Sequence, residues 1–137
     1  MTGRYHEVVQ ITLNASRSAL AGLAAVSAGG VADVGQFLVE RPNIFTEAPG
    51  RGLGSLLGLG IWAALLAIAV SRLRGNASPR ARGATLGLAS IAGLGSVLLT
   101  VVHFRAGVAG WRPVASGALG VGALVFALVA RDVPGSD

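Results

Sequence analysis

Polar and apolar positions in this chain fall into long blocks instead of alternating along one face. Residues 53–70 read LGSLLGLGIWAALLAIAV without a charge, and SRLR at 71–74 closes the block. As a helix these residues rise about 27 Å, near the roughly 30 Å hydrocarbon thickness of a bilayer. Three further blocks have similar character. Residues 18–39 read SALAGLAAVSAGGVADVGQFLV, with Asp33 and Gln36 inside them. Residues 83–104 read GATLGLASIAGLGSVLLTVVHF, about 33 Å as a helix. Residues 113–130 read PVASGALGVGALVFALVA and open on a proline, whose missing N–H is harmless in a first helical turn. Pro42, Pro49, Pro79 and Pro113 all fall in or beside the short connectors.

The pattern predicts an all-α integral membrane protein, with residues 1–137 forming one membrane domain built as a four-transmembrane-helix bundle. Ahead of it, Val8, Ile11, Ala15 and Ser18 fall near one helical face, which predicts a short interfacial helix before the first span. Arg17 followed by ALAGLAAVSAGG has the outline of a secretory signal. However, Glu7 and VVQITL lie upstream, and the apolar run continues to Val39. The expectation is an uncleaved first span.

Composition agrees with lipid as the solvent. The chain is 53% hydrophobic and 12% charged, against roughly 25% charged in ordinary soluble proteins. The net charge of +5 raises nucleic acid as a partner, but the distribution argues against it. All eleven basic residues are arginine, and most lie between or beside the apolar blocks, where topology signals belong. Arginine without lysine, beside abundant Ala, Gly and Val, suggests a GC-rich bacterial genome, and hence the plasma (inner) membrane. The segment 71–82 carries Arg72, Arg74, Arg80 and Arg82 and no acid, so it is expected to face the cytoplasm. Both termini then do so too, with Arg4, Arg17 and Arg131 beside them. Arg41, Arg51, Arg105 and Arg112 remain on the outer side.

Packing in lipid relies on close backbone approach. The small-residue pairs expected to supply it are Gly54 with Gly58, Gly83 with Gly87 (continued by Ala89 and Gly93), Ser116 with Gly120, and Ala118 with Gly122. In the first span, Ala21, Ala25 and Gly29 share the spacing. Trp62 lies in mid-span, where it is expected to pack and to hydrogen-bond across the bundle. Trp111 is expected in a loop, as an interface anchor.

Ionisable groups inside a span cost about 2.5–3.5 kcal/mol on insertion scales, which singles out Asp33. On the expected topology Asp33, Glu47, His103, Arg105 and Arg112 converge on the outer side. An Asp33–Arg105 or Glu47–Arg105 pair there would tie helix ends together with His103 beside it. Alternatively, the set forms a polar vestibule that titrates through His103, over which the connector 41–52 is long enough to fold. With no Cys there is no thiolate site. His6 and His103 fall on opposite sides, so no metal site or cofactor is expected, and no hydrolase, zincin or phosphate-loop motif is present. The leading expectation is a non-catalytic accessory or assembly subunit, partnered by the bilayer and by a homo-oligomer or larger membrane complex. The alternatives are a small homo-oligomeric transporter or channel using the outer cluster and, more weakly, a membrane enzyme acting on a lipid or isoprenoid.

Overall fold

A computed structural model of the chain describes residues 2–76, 78–107 and 110–131, the side chains of 2, 9–14 and 131 excepted. The helices are α1 (Thr2–Glu40), α2 (Ile44–Glu47), α3 (Pro49–Leu73), α4 (Pro79–Arg105) and α5 (Trp111–Arg131). Among the described residues, Ala15–Glu40, Pro49–Leu73, Pro79–Arg105 and Trp111–Ala130 are each long and apolar enough to cross a membrane. This is the signature of a multi-pass membrane protein.

The helix ends follow from local chemistry. α1 stops before Pro42, whose ring disfavours a helical residue ahead of it. Pro49 and Pro79 stand at the starts of α3 and α4. The Ser78 hydroxyl caps α4 by accepting the Ala81 N–H at 3.2 Å. Gly75 (φ 109°) and Gly107 (φ 73°) turn the chain just beyond α3 and α4, in backbone regions that a side chain resists. α5 begins at Trp111, so Pro113 lies inside its first turn, and Trp111 is helical and 70% exposed instead of sitting in a loop.

The N-terminal region departs from expectation in one respect. There is no separate interfacial helix, because α1 runs unbroken for 39 residues, about 58 Å, far beyond bilayer thickness. Nothing between Val8 and Ser18 interrupts a helix, and the first proline of the chain is Pro42. Tyr5 and Val8 on this extension are exposed. The side chains of Ile11, Asn14 and Arg131, and the C-terminal residues 132–137, lie outside the described residues.

The four long helices form an antiparallel ring in the order α1, α3, α4, α5, with α5 closing against α1. α4 and α5 pack most closely, and α3 against α4 is the loosest seam. The start of the first span and the end of the last lie together, since Ala19 and Leu20 pack with Ala130. The main core joins Leu23, Trp62, Leu65, Ala69, Ala89, Ala92, Ala123 and Ala127. Alanine dominates it, so the backbones sit close and little side-chain volume is needed to fill the centre.

Of the glycines that permit this approach, Gly29, Gly93, Gly120 and Gly122 are among those the spacing singled out, whereas Gly22 and Gly30 are not. A Cβ on Gly22 would lie 2.7 Å from the Phe126 ring, and one on Gly30 would enter the Trp62 indole. On the α4–α5 seam, a Cβ on Gly93 or Gly120 would come within 2.8 Å of the other's carbonyl oxygen. Gly29 meets Leu119 and Gly122 meets Val26. By contrast Ala21, Ala25 and Ala118 are exposed. Nothing lies within 4 Å of a Cβ on Gly54, Gly58, Gly83 or Gly87.

Candidate functional site

The packed interior does not run the length of the bundle. On α3 the inward stripe is Trp62, Leu65, Ala69 and Arg72, all buried. Gly58 and Gly54 continue that face by one and two turns, yet among the described residues a Cβ on either would meet nothing within 4 Å. On α1 the buried residues stop at Gly30, and on α4 they stop at Ser96. The bundle is therefore closed from the Arg72 end to the level of Trp62. Beyond it α3 stands open, leaving a splayed side, whereas α5 stays with α4 at Thr100 and Pro113 and with α1 at Arg112 and Glu40. Trp62 floors the splayed part, stacked on the backbone of Gly30. Among the described residues its indole N–H has no hydrogen-bond partner, so the expected cross-bundle bond is not formed.

The outer polar residues surround this splayed end but do not form the cluster expected of them. Asp33 is half-buried on the α5-facing side of α1, one turn beyond Gly29, and Arg112 lies within electrostatic reach. Arg112 pairs instead with Glu40, its Nη2 donating to Oε2 at 2.9 Å. Gln36 braces that carboxylate by donating to Oε1 at 2.9 Å. Neither Asp33–Arg105 nor Glu47–Arg105 is formed. The reason lies in the ring order: α1 and α5 are neighbours, whereas α1 and α4 face each other across the diagonal. His103 is half-buried near the end of α4, while Arg105 and Glu47 are exposed. The 41–52 connector folds back on α3 instead of capping the opening. Within it Ile44 is buried and the Phe45 ring fills the space above Gly52.

The opposite end holds a polar arrangement that the sequence pattern does not reveal. Arg72, expected in a cytoplasmic loop, lies in the last turn of α3 and is only 9% exposed. Its Nη1 donates to the Thr85 hydroxyl on α4 and its Nη2 to the Ala130 carbonyl on α5, each at 3.2 Å. Thr85 passes its own proton to the Ala81 carbonyl at 2.7 Å. One guanidinium thus joins three helices at one level. Among the described residues no carboxylate lies within ion-pair distance of it, and the nearby charge is that of Arg82. Among the described residues the Ser16 hydroxyl, one turn beyond Leu20 at this end, is buried without a partner, as is that of Ser27 in the core.

On the outside, an apolar groove of about 820 Å³ follows the α4–α5 seam between Phe104, Val114, Val121 and Val125. Thr100 stands at its base, donating to the Pro113 carbonyl at 2.8 Å across a gap left by Gly117. Among the described residues, no group of three or more His, Cys, Asp or Glu side chains is placed to hold a metal ion. The chain matches no protein family, and neither a curated protein nor a solved structure is similar to it.

Proposed function

We propose that this chain is a non-catalytic assembly subunit of a larger bacterial plasma-membrane complex, with both termini cytoplasmic. The observation that carries the reading is the face of α3 beyond Trp62. Gly54 and Gly58 continue a helix stripe suited to close approach, yet among the described residues nothing lies within 4 Å of a Cβ on either. In lipid, association depends on such close approach, and a small-residue face left open is where a partner helix gains most contact. The arginine-rich, acid-free segment 71–82 supports the orientation.

A second reading rests on Asp33. A half-buried carboxylate beside a splayed polar end, its neighbouring arginine engaged by Glu40, suits a small homo-oligomeric transporter that binds a cation or proton there. Gentle extraction from the native membrane, followed by intact mass measurement, separates the two. A fixed ratio to a second type of chain, lost in Gly54→Leu and Gly58→Leu variants that stay helical, supports the assembly role. A defined oligomer of this chain alone, with flux abolished by Asp33→Asn, overturns it in favour of transport.

A further inference from the structure

A recess of about 590 Å³ opens beside the α3–α4 turn, lined by Ala67, Val70, Ser71, Arg74 and Asn76. Its chemistry changes along the helix axis. Ala67 and Val70 belong to the apolar part of α3, whereas Arg74 and Asn76 lie just past the end of the candidate span at Leu73. One hollow therefore joins a wall at hydrocarbon depth to a cationic rim at the membrane surface. Towards the bilayer centre the same outer line of α3 continues through Ala63 and Gly60, both exposed, leaving a shallow track.

The rim has a defined shape. Asn76 donates its Nδ2 to the Ser71 hydroxyl at 3.0 Å, and its Oδ1 accepts the Ser78 N–H at 3.1 Å. The Asn76 N–H in turn donates to the Ser71 carbonyl at 3.1 Å, across the left-handed turn at Gly75. Arg74 projects from this turn exposed, and among the described residues its side chain has no hydrogen-bond or ion-pair partner. The surrounding segment 71–82 adds Arg80 and Arg82 and contains no acid.

We propose that this recess binds an anionic membrane phospholipid, its phosphate at Arg74 and the Ser71–Asn76 rim and an acyl chain along Ala67 and Gly60. Charge complementarity argues for an anion, since among the described residues the charged side chain lining the rim is that of Arg74. The apolar wall argues for a lipid over free phosphate, which would gain nothing from Ala67 and Val70. A second copy of the chain is disfavoured, because it would bring two arginine-rich turns together. This inference is independent of the assembly and transport readings, which concern the other end of the bundle.

The test is native mass spectrometry of the purified, delipidated full chain, titrated separately with phosphatidylglycerol, phosphatidylcholine and inorganic phosphate. Phosphatidylglycerol is expected to bind ahead of phosphatidylcholine, with inorganic phosphate not competing. Arg74→Gln should weaken phosphatidylglycerol binding on the order of fivefold, the usual scale for one arginine at an anionic membrane surface. Arg51→Gln, at the other end, should leave it unchanged. Ala67→Leu fills the apolar wall without altering charge and should also weaken binding, so the proposal does not hang on one arginine. Circular dichroism of each variant confirms that it is folded. Equal binding of both lipids, equal loss in Arg74→Gln and Arg51→Gln, or displacement by inorganic phosphate would each overturn the proposal.

Discussion

Arg72 donates to the hydroxyl of Thr85 across the α3–α4 seam, and the other arm of its guanidinium reaches the last core residue of α5, Ala130. This seam is the loosest of the ring, so the buried side-chain bond found there among the described residues carries a large share of its specificity. Hydrogen bonds to charged groups contribute about 1.5–3 kcal/mol in proteins, and somewhat less between membrane helices. Thr85→Val, which keeps shape and removes the acceptor, is expected to lower stability by about 1–2 kcal/mol, whereas Thr85→Ser stays within about 0.5 kcal/mol of the parent. Unfolding by SDS in mixed micelles measures both. A cycle with Arg72→Met isolates the pair, and zero coupling would show that the bond is not made in the membrane.

The meeting of Gly30 and Trp62 makes a prediction of a different kind. A methyl at residue 30 enters the space of the indole, so the ring must leave its position. Overpacking of this sort typically costs about 1–3 kcal/mol. Gly30→Ala should therefore destabilise the bundle and change the emission of Trp62, read against a Trp111→Phe background that leaves one tryptophan. The double variant Gly30→Ala, Trp62→Leu should recover much of the loss, since the smaller side chain yields the room. Failure of that rescue would mean that the two helices do not meet at this level.

Glycine substitutions elsewhere should divide according to contact and not according to motif. At Gly93 and Gly120 the obstacle to a Cβ includes the facing backbone carbonyl, which no rotamer change can move. Alanine at either position must push α4 and α5 apart, with an expected loss of about 2 kcal/mol or more. At Gly83 and Gly87 nothing lies within reach, and alanine is the better helix former by about 1 kcal/mol. Those two substitutions should be neutral or stabilising in detergent. If all four behave alike, the assigned seam is wrong.

These cases show what the chain discloses and what it withholds. Four spans were legible because eighteen or more residues in a row with at most one formal charge have few other fates, and the prolines and glycines mark their ends. The contacts were legible only in part, because small residues recur at four-residue steps around most of each helix. The spacing picked out Gly29, Gly93, Gly120 and Gly122, which are at contacts, together with Gly54, Gly58, Gly83 and Gly87, which are not. Gly54 and Gly58 on α3 look no different in sequence from Gly93 on α4 or Gly120 on α5, yet ring order and helix phase bring only the latter two against a neighbouring helix. Arg72 was hidden for a related reason. An arginine after an apolar block ordinarily marks a loop, and only α5 ending at the same level turns this one inward, onto the Ala130 carbonyl. Asp33 was recognisable as the exceptional carboxylate in a span, but its pairing depended on whether α4 or α5 stands beside α1.

That last dependence can be tested at the splayed end. Glu40 and Arg112 form an ion pair 2.9 Å long with side chains 48% and 35% exposed, a degree of exposure at which such pairs contribute about 0–1 kcal/mol and are screened by salt. Glu40→Gln alone should thus have a small effect that vanishes at high ionic strength. Arg112 also lies within electrostatic reach of Asp33, which sits on the same side of α1 one turn beyond the Gly29–Leu119 contact. Once Glu40 is neutral, the guanidinium has an acid left to turn to. Asp33→Asn should therefore be nearly silent in the parent and clearly destabilising in the Glu40→Gln background, a non-additivity that only a shared partner produces. The four-way comparison by thermal unfolding, at low and high salt, reads it directly. Strict additivity at low salt would show that Arg112 serves Glu40 alone, leaving Asp33 free for a ligand and strengthening the transport reading over the assembly one.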